Sequence, residues 1–138
     1  ALGILFGVVG YFKTSDYDKD MQVAQELEDK YKNDTYGGTT PEETLQLFIT
    51  ALKAGDTELA SKYFVIDKQA EWKAQLEKIK TSNKLDSMVN DLLKYDKSYS
   101  INESNIVFDI TNNSKEIIAS VNVIRIPTGN KLWKIESI

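Results

Sequence analysis

Thr40-Pro-Glu-Glu-Thr-Leu-Gln-Leu-Phe-Ile-Thr-Ala-Leu-Lys-Ala-Gly-Asp-Thr-Glu-Leu-Ala-Ser-Lys-Tyr-Phe64 reads as two consecutive helices with their punctuation in place. Thr40 is set to cap the first, and Pro41 falls in the first turn, where a missing N–H costs nothing. Glu43 stands at the third position of the same start signal. Leu45, Phe48, Ile49 and Leu52 then recur at helical spacing and mark one buried face. Gly55 ends that helix, and Asp56 caps the next, whose inward positions are Leu59, Ala60, Tyr63 and Phe64.

Toward the C-terminus a third helix is expected over 68–80, presenting Trp72, Leu76 and Ile79. A fourth carries Leu85, Met88, Val89, Leu92 and Leu93, with Tyr95 closing it. Past residue 96 the period changes from helical to alternating. Ile106, Phe108 and Ile110 alternate with Val107 and Asp109, which places Asp109 toward solvent. Ile117, Ala119, Val121 and Val123 repeat the pattern. Pro127-Thr-Gly-Asn130 is a turn, and Trp133 and Ile135 point inward from the strand after it. Helices followed by consecutive short strands predict an α+β fold, with helices packed on a curved antiparallel sheet of three to four strands.

Toward the N-terminus, Asn33-Asp-Thr-Tyr-Gly-Gly-Thr-Thr40 reads as a break and linker. Before it, Ser15-Asp-Tyr-Asp18 has the form of a capping box, predicting a helix over 16–32 that is either separate from or continuous with what precedes it. Met21, Val23, Ala24, Leu27 and Tyr31 give that helix a modest apolar stripe. The chain opens on twelve uncharged residues, Ala1-Leu-Gly-Ile-Leu-Phe-Gly-Val-Val-Gly-Tyr-Phe12. As a helix they extend ~18 Å at ~1.5 Å per residue, against a hydrocarbon core of ~30 Å. They are read as the outer end of a membrane helix or as the exposed start of a processed subunit. Lys13 followed by Asp16, Asp18 and Asp20 suits an outer flank, so the folded part is expected on the extracytoplasmic side. Gly3, Gly7 and Gly10 share a spacing that lets helices approach closely. With Leu2, Phe6, Tyr11 and Phe12 they form the expected membrane or self-association surface. The organisation is thus 1–14 anchor or assembly helix, 15–39 amphipathic helix and linker, 40–138 folded domain. Because the expected core lies after Thr39, the chain from there on is expected to fold alone.

Composition removes several function classes. The chain has 138 residues, a net charge of −4 and no basic cluster, which argues against nucleic acid. It has no Cys and no His, so no disulfide, thiolate nucleophile, imidazole base or zinc set is available. Among 17 basic residues only Arg125 is arginine, a Lys-heavy balance that looks like an AT-rich bacterial genome.

The stretch Thr40–Phe64, with its Gly55-Asp56 junction before a helix ending in an aromatic, resembles the nuclear-transport-factor-2-like (cystatin-like) superfamily. The ending Gly129-Asn-Lys-Leu-Trp-Lys-Ile135 is similar to the usual last strand of that superfamily. The resemblance covers residues 40–138 and implies a cystatin-like cone of helices on a curved sheet. It implies isomerase, dehydratase or non-catalytic, exported and membrane-anchored domains, and fold alone does not choose.

Enzymes of that kind need a carboxylate or His-Asp pair in the cone, with tyrosine donors, and no residue is assigned a catalytic role. Tyr63 and Tyr95 are read as core edges, and Trp72 and Trp133 as core rather than ligand platforms. Asp16-x-Asp18-x-Asp20 starts like a calcium loop, but Met21 and Leu27 stand where Gly and Glu are required. No metal or cofactor is expected. Asn33-Asp-Thr35, Asn102-Glu-Ser104 and Asn112-Asn-Ser114 fit the N-glycosylation pattern, with Asn33 the most accessible. The reading these features support is a non-enzymatic, membrane-anchored extracytoplasmic domain that binds other envelope proteins. The alternative is a filament or pilin-like appendage subunit assembled through residues 1–12, and the third is a small-ligand-binding or enzymatic cone.

Overall fold

The computed structural model describes residues 2–138, with side chains described for 17–138 except at position 97. The side chains of Leu2, Gly3, Phe6, Gly7, Gly10, Tyr11 and Phe12 therefore lie outside the described set. Among the described residues no helix is long and apolar enough to cross a membrane.

Helix α1 runs unbroken over Leu2–Lys32. Ser15 lies inside it, so the expected capping box is not a helix start. No Gly or Pro stands between Gly10 and Lys32 to interrupt the turn-to-turn hydrogen bonds. Residues 17–30 are all exposed, so most of the apolar stripe has no partner within the described residues. Met21, Val23 and Leu27 meet solvent, and only Tyr31, 6% exposed, is buried. Over residues 17–30 the helix runs clear of the folded head, and its last turn touches the head.

In the head, the Thr40–Phe64 reading holds for the first helix. In α2 (Pro41–Lys53) Thr40 Oγ1 accepts from the Glu43 amide at 3.1 Å. Leu45, Phe48, Ile49 and Leu52 are all buried. Gly55 turns the chain at φ 71°, and Asp56 accepts from the Leu59 amide at 3.0 Å to cap α3 (Thr57–Ser61). That helix is shorter than expected. Beyond Ser61 the chain turns and meets the sheet edge, so Tyr63 and Phe64 reach the core from that turn and bridge. A single 3-10 turn, Ile66–Lys68, leads into α4 (Gln69–Thr81), which buries Leu76. Next comes α5 (Leu85–Leu92), which buries Leu85, Val89 and Leu92.

The sheet is an antiparallel meander of β1 (Tyr95–Asn102), β2 (Asn105–Thr111), β3 (Ile117–Arg125) and β4 (Trp133–Ser137), in that spatial order. Register shifts interrupt all three pairings, and such bulges bend and twist a sheet. The curved face takes the helices. Phe108 pairs with Val121, Ile110 with Ala119, and Val123 with Ile135, on the side that meets Leu45, Phe48 and Leu76. Tyr95 opens β1 instead of closing α5, and its ring meets Phe108 edge-on at 5.4 Å. The shift between Ile110 and Thr111 throws Ile117 out of the inward register, and it is exposed.

The outer edge of β4 is not free. Gly38 bridges Trp133 antiparallel and Phe64 bridges Ile135 in parallel. Hydrogen bonds from the Trp133 amide to the Gly38 carbonyl (3.0 Å) and from the Ile135 amide to the Tyr63 carbonyl (2.8 Å) make these contacts. The linker thus ends the helix as expected and also closes the sheet. Thr44 completes the join: its hydroxyl accepts from the Gly38 amide and donates to the Trp133 carbonyl, both at 2.9 Å.

Phe48 is fully buried and Trp133 is 8% exposed, on facing elements of the same core. Phe48→Ala or Trp133→Ala should each cost about 3–5 kcal/mol in denaturant unfolding. A loss below about 1 kcal/mol at both would contradict the packing described.

Candidate functional site

Three places on the head could recognise something. The first is an opening of about 310 Å³ between α4–α5 and the concave sheet, lined by Ile79, Met88, Leu92, Ile110, Ile118 and Ile138. Its apolar lining comes from Ile79 of α4, one face of α5, β2 and β3, and the chain end. Lys84, Ser87 and Asp91 supply its polar groups. The arrangement suits desolvation of an apolar group beside charged neighbours. Among the described residues no group of acidic side chains could hold a metal ion.

The second lies across the sheet, where Asp109 lines a cleft with Asp96, Thr111, Lys115 and Ile117. Asp109 was expected to face solvent, and the structure buries it to 7% exposure. It sits opposite Ser120, whose hydroxyl donates to Asp109 Oδ1 at 2.9 Å. Alternation placed it on the correct face, but neighbouring strands crowd that face. The bond to Ser120 gives it a structural role.

The third is the joint between α1 and the head, and here the structure departs furthest from the sequence reading. Lys134 lies between inward-facing Trp133 and Ile135, so alternation sends it to solvent. It is fully buried instead. Its ammonium lies 2.7 Å from Asp34 Oδ2 and donates to the carbonyls of Tyr36 (2.6 Å) and Lys62 (2.5 Å). Two carbonyls accept from it and one carboxylate balances its charge, from the segment just after α1 and the end of α3. Burial pulls the Lys134 pKa below the ordinary lysine value, and the Asp34 hydrogen bond and charge push it back up. Asp34 holds a second post, since its Oδ1 accepts from the Tyr36 amide at 3.0 Å.

Around that pair the rest of the joint closes. Tyr31 packs with Val65 and Ile126, and its hydroxyl accepts from the Ile66 amide at 3.1 Å. Burial holds the Tyr31 phenol above its usual pKa, while that hydrogen bond opposes the rise. Asn130 in the β3–β4 turn donates to the carbonyls of Lys32 (3.3 Å) and Asp34 (2.6 Å), which the helix end leaves open. Gly129 at φ 64° lies against the Tyr31 carbonyl, where any Cβ would clash.

The other sequence candidates fall as follows. Trp72 stacks on Phe64 at 4.7 Å, and Tyr63 is buried beside Tyr36, so both belong to the core side. Burial raises the Tyr63 pKa. Asn33 is exposed at the end of α1. In comparison with known proteins, no family model, curated protein or solved structure matches this chain.

Removing one partner of a buried ion pair strands the other, at a cost of about 3–5 kcal/mol. Lys134→Met and Asp34→Asn should each lower unfolding free energy by that order. Combined, they should lose clearly less than the sum, with a coupling above about 1 kcal/mol in the double-mutant cycle. By the same reasoning, a chain beginning at Thr39 should unfold well before one beginning at Gln25. Equal melting of the two would refute the joint.

Proposed function

We propose that this chain is a membrane-anchored extracytoplasmic domain that binds another protein within a cell-envelope complex, without catalysis. The observation that carries the reading is α1 itself. One helix leads from the uncharged opening segment to the head, and every residue from 17 to 30 is exposed. A helix with no intramolecular face gains nothing from packing on its own head and is marginal alone in water. Holding a head away from an apolar end is a use that repays such a helix. Lys13 and the acids after it support the outward orientation.

The cystatin-like cone of the resemblance supports the binding half. Its mouth is apolar, with Lys84 and Asp91 among its lining residues, which suits an apolar side chain of a partner polypeptide. The filament reading takes its support from the exposure of Tyr17, Met21, Val23 and Leu27, which neighbouring copies would cover.

Cell fractionation tests the proposal. The full chain should sediment with membranes, resist carbonate extraction and dissolve in detergent. Its head should be cut by protease added outside spheroplasts. A monodisperse monomer in plain buffer would overturn it, and detergent-resistant fibres under the electron microscope would favour the filament.

A further inference from the structure

We infer that α1 and the head form one rigid body, so that the helix is an arm that fixes the head's orientation and not a tether that lets it swing. The inference rests on the joint alone and holds whatever secures the far end of α1.

A tether needs free residues between the helix and the first fixed point. Here Lys32 is the last helical residue, and its carbonyl already accepts from Asn130. Only Asn33 separates it from Asp34, whose carboxylate meets Lys134. Tyr31, one turn-step earlier, is buried against Val65 and Ile126. The helix end is thus held by separate parts of the head: Tyr31 by the segment leading into α4 and by the end of β3, the carbonyls by the β3–β4 turn, and Asp34 by β4. One contact would allow a swivel and two would allow a hinge. Three, on separate elements of the head, allow neither.

The elements chosen are also the stiff ones. Lys134 lies in a strand bonded on both edges, to β3 inside and to Gly38 and Phe64 outside. Gly129 places the turn backbone directly on the last helical turn, with no side chain between to act as a cushion. A displacement of α1 therefore passes into β4 and its turn without being absorbed by a linker. In a complex, the side of the head offered to a partner is then set by how α1 is held.

The chain has no native cysteine, so paired spin labels can be placed at will. Pulsed electron–electron resonance on the full chain in detergent micelles would use Glu26→Cys with Glu71→Cys across the joint. Lys53→Cys with Glu71→Cys serves as reference within the head, and Lys19→Cys with Glu26→Cys reads fraying of α1. All four positions are exposed. The cross-joint distance distribution should be a single peak about as narrow as the reference, and the α1 pair should be narrow as well. Asn130→Ala, which keeps the buried ion pair, should broaden the cross-joint distribution at least twofold and leave both other pairs unchanged. A broad cross-joint distribution in the unsubstituted joint would overturn the inference, whether the α1 pair is narrow (a swinging helix) or broad (a frayed one). An Asn130→Ala distribution as narrow as that of the parent would overturn the role given to the turn.

Discussion

The ammonium of Lys134 is the charge around which the rest of the structure is arranged. A fully buried cation is tolerated only when every donor is used and its charge is matched. Asp34, Tyr36 and Lys62 meet that demand together, from segments about 70 to 100 residues away in sequence. Satisfying it brings the segment just after α1 and the end of α3 to one point on β4. Trp133 and Ile135, flanking Lys134, then have fixed neighbours on the outer edge of the sheet. Such a pair adds little net stability compared with an apolar replacement of the same volume. It does penalise any arrangement that leaves one partner alone, and so selects a single placement of α1.

Local signals in the sequence carried the fold class and most of the core. The Thr40 cap, Pro41, the Leu45/Phe48/Ile49/Leu52 face, Gly55 and Asp56 each act within a few residues, and each is found as read. Alternation likewise placed Phe108, Ile110, Val121 and Val123 toward the helices. What local pattern does not decide depends on distant chain. Lys134 and Asp109 lie on faces that alternation marks as exposed, and only the tertiary cover decides otherwise. Asp34, in a stretch rich in Gly and Thr, looks like a turn former; it does serve the Tyr36 amide, while its other oxygen meets Lys134. Tyr95–Asn102 was missed as a strand because Asp96, Lys97, Ser98 and Ser100 give it a polar edge-strand composition. Asn130 carried one visible signal, its place in a Pro-Thr-Gly-Asn turn, but nothing local shows that this turn caps a helix about 100 residues earlier.

The functional proposal and the joint bear on each other. A head fixed to its helix presents its apolar mouth, lined by Met88, Leu92 and Ile118, in a direction set by the helix. A head on a loose linker would search for its partner and lose orientational entropy on binding. A fixed head has that cost already met by folding, at the expense of reach.

Amide hydrogen exchange tests the central claim most directly, because it asks whether the residues after α1 belong to the cooperative unit of the head. The Gly38 amide is held by Thr44 and the Tyr36 amide by Asp34, both within the segment that the ion pair secures. If the joint is part of the fold, these two amides should exchange only through global unfolding, with the same protection as Val121 and Ile135 in the sheet. Rapid exchange at Tyr36 and Gly38 beside full protection at Val121 and Ile135 would contradict the account and return the segment to the status of a linker.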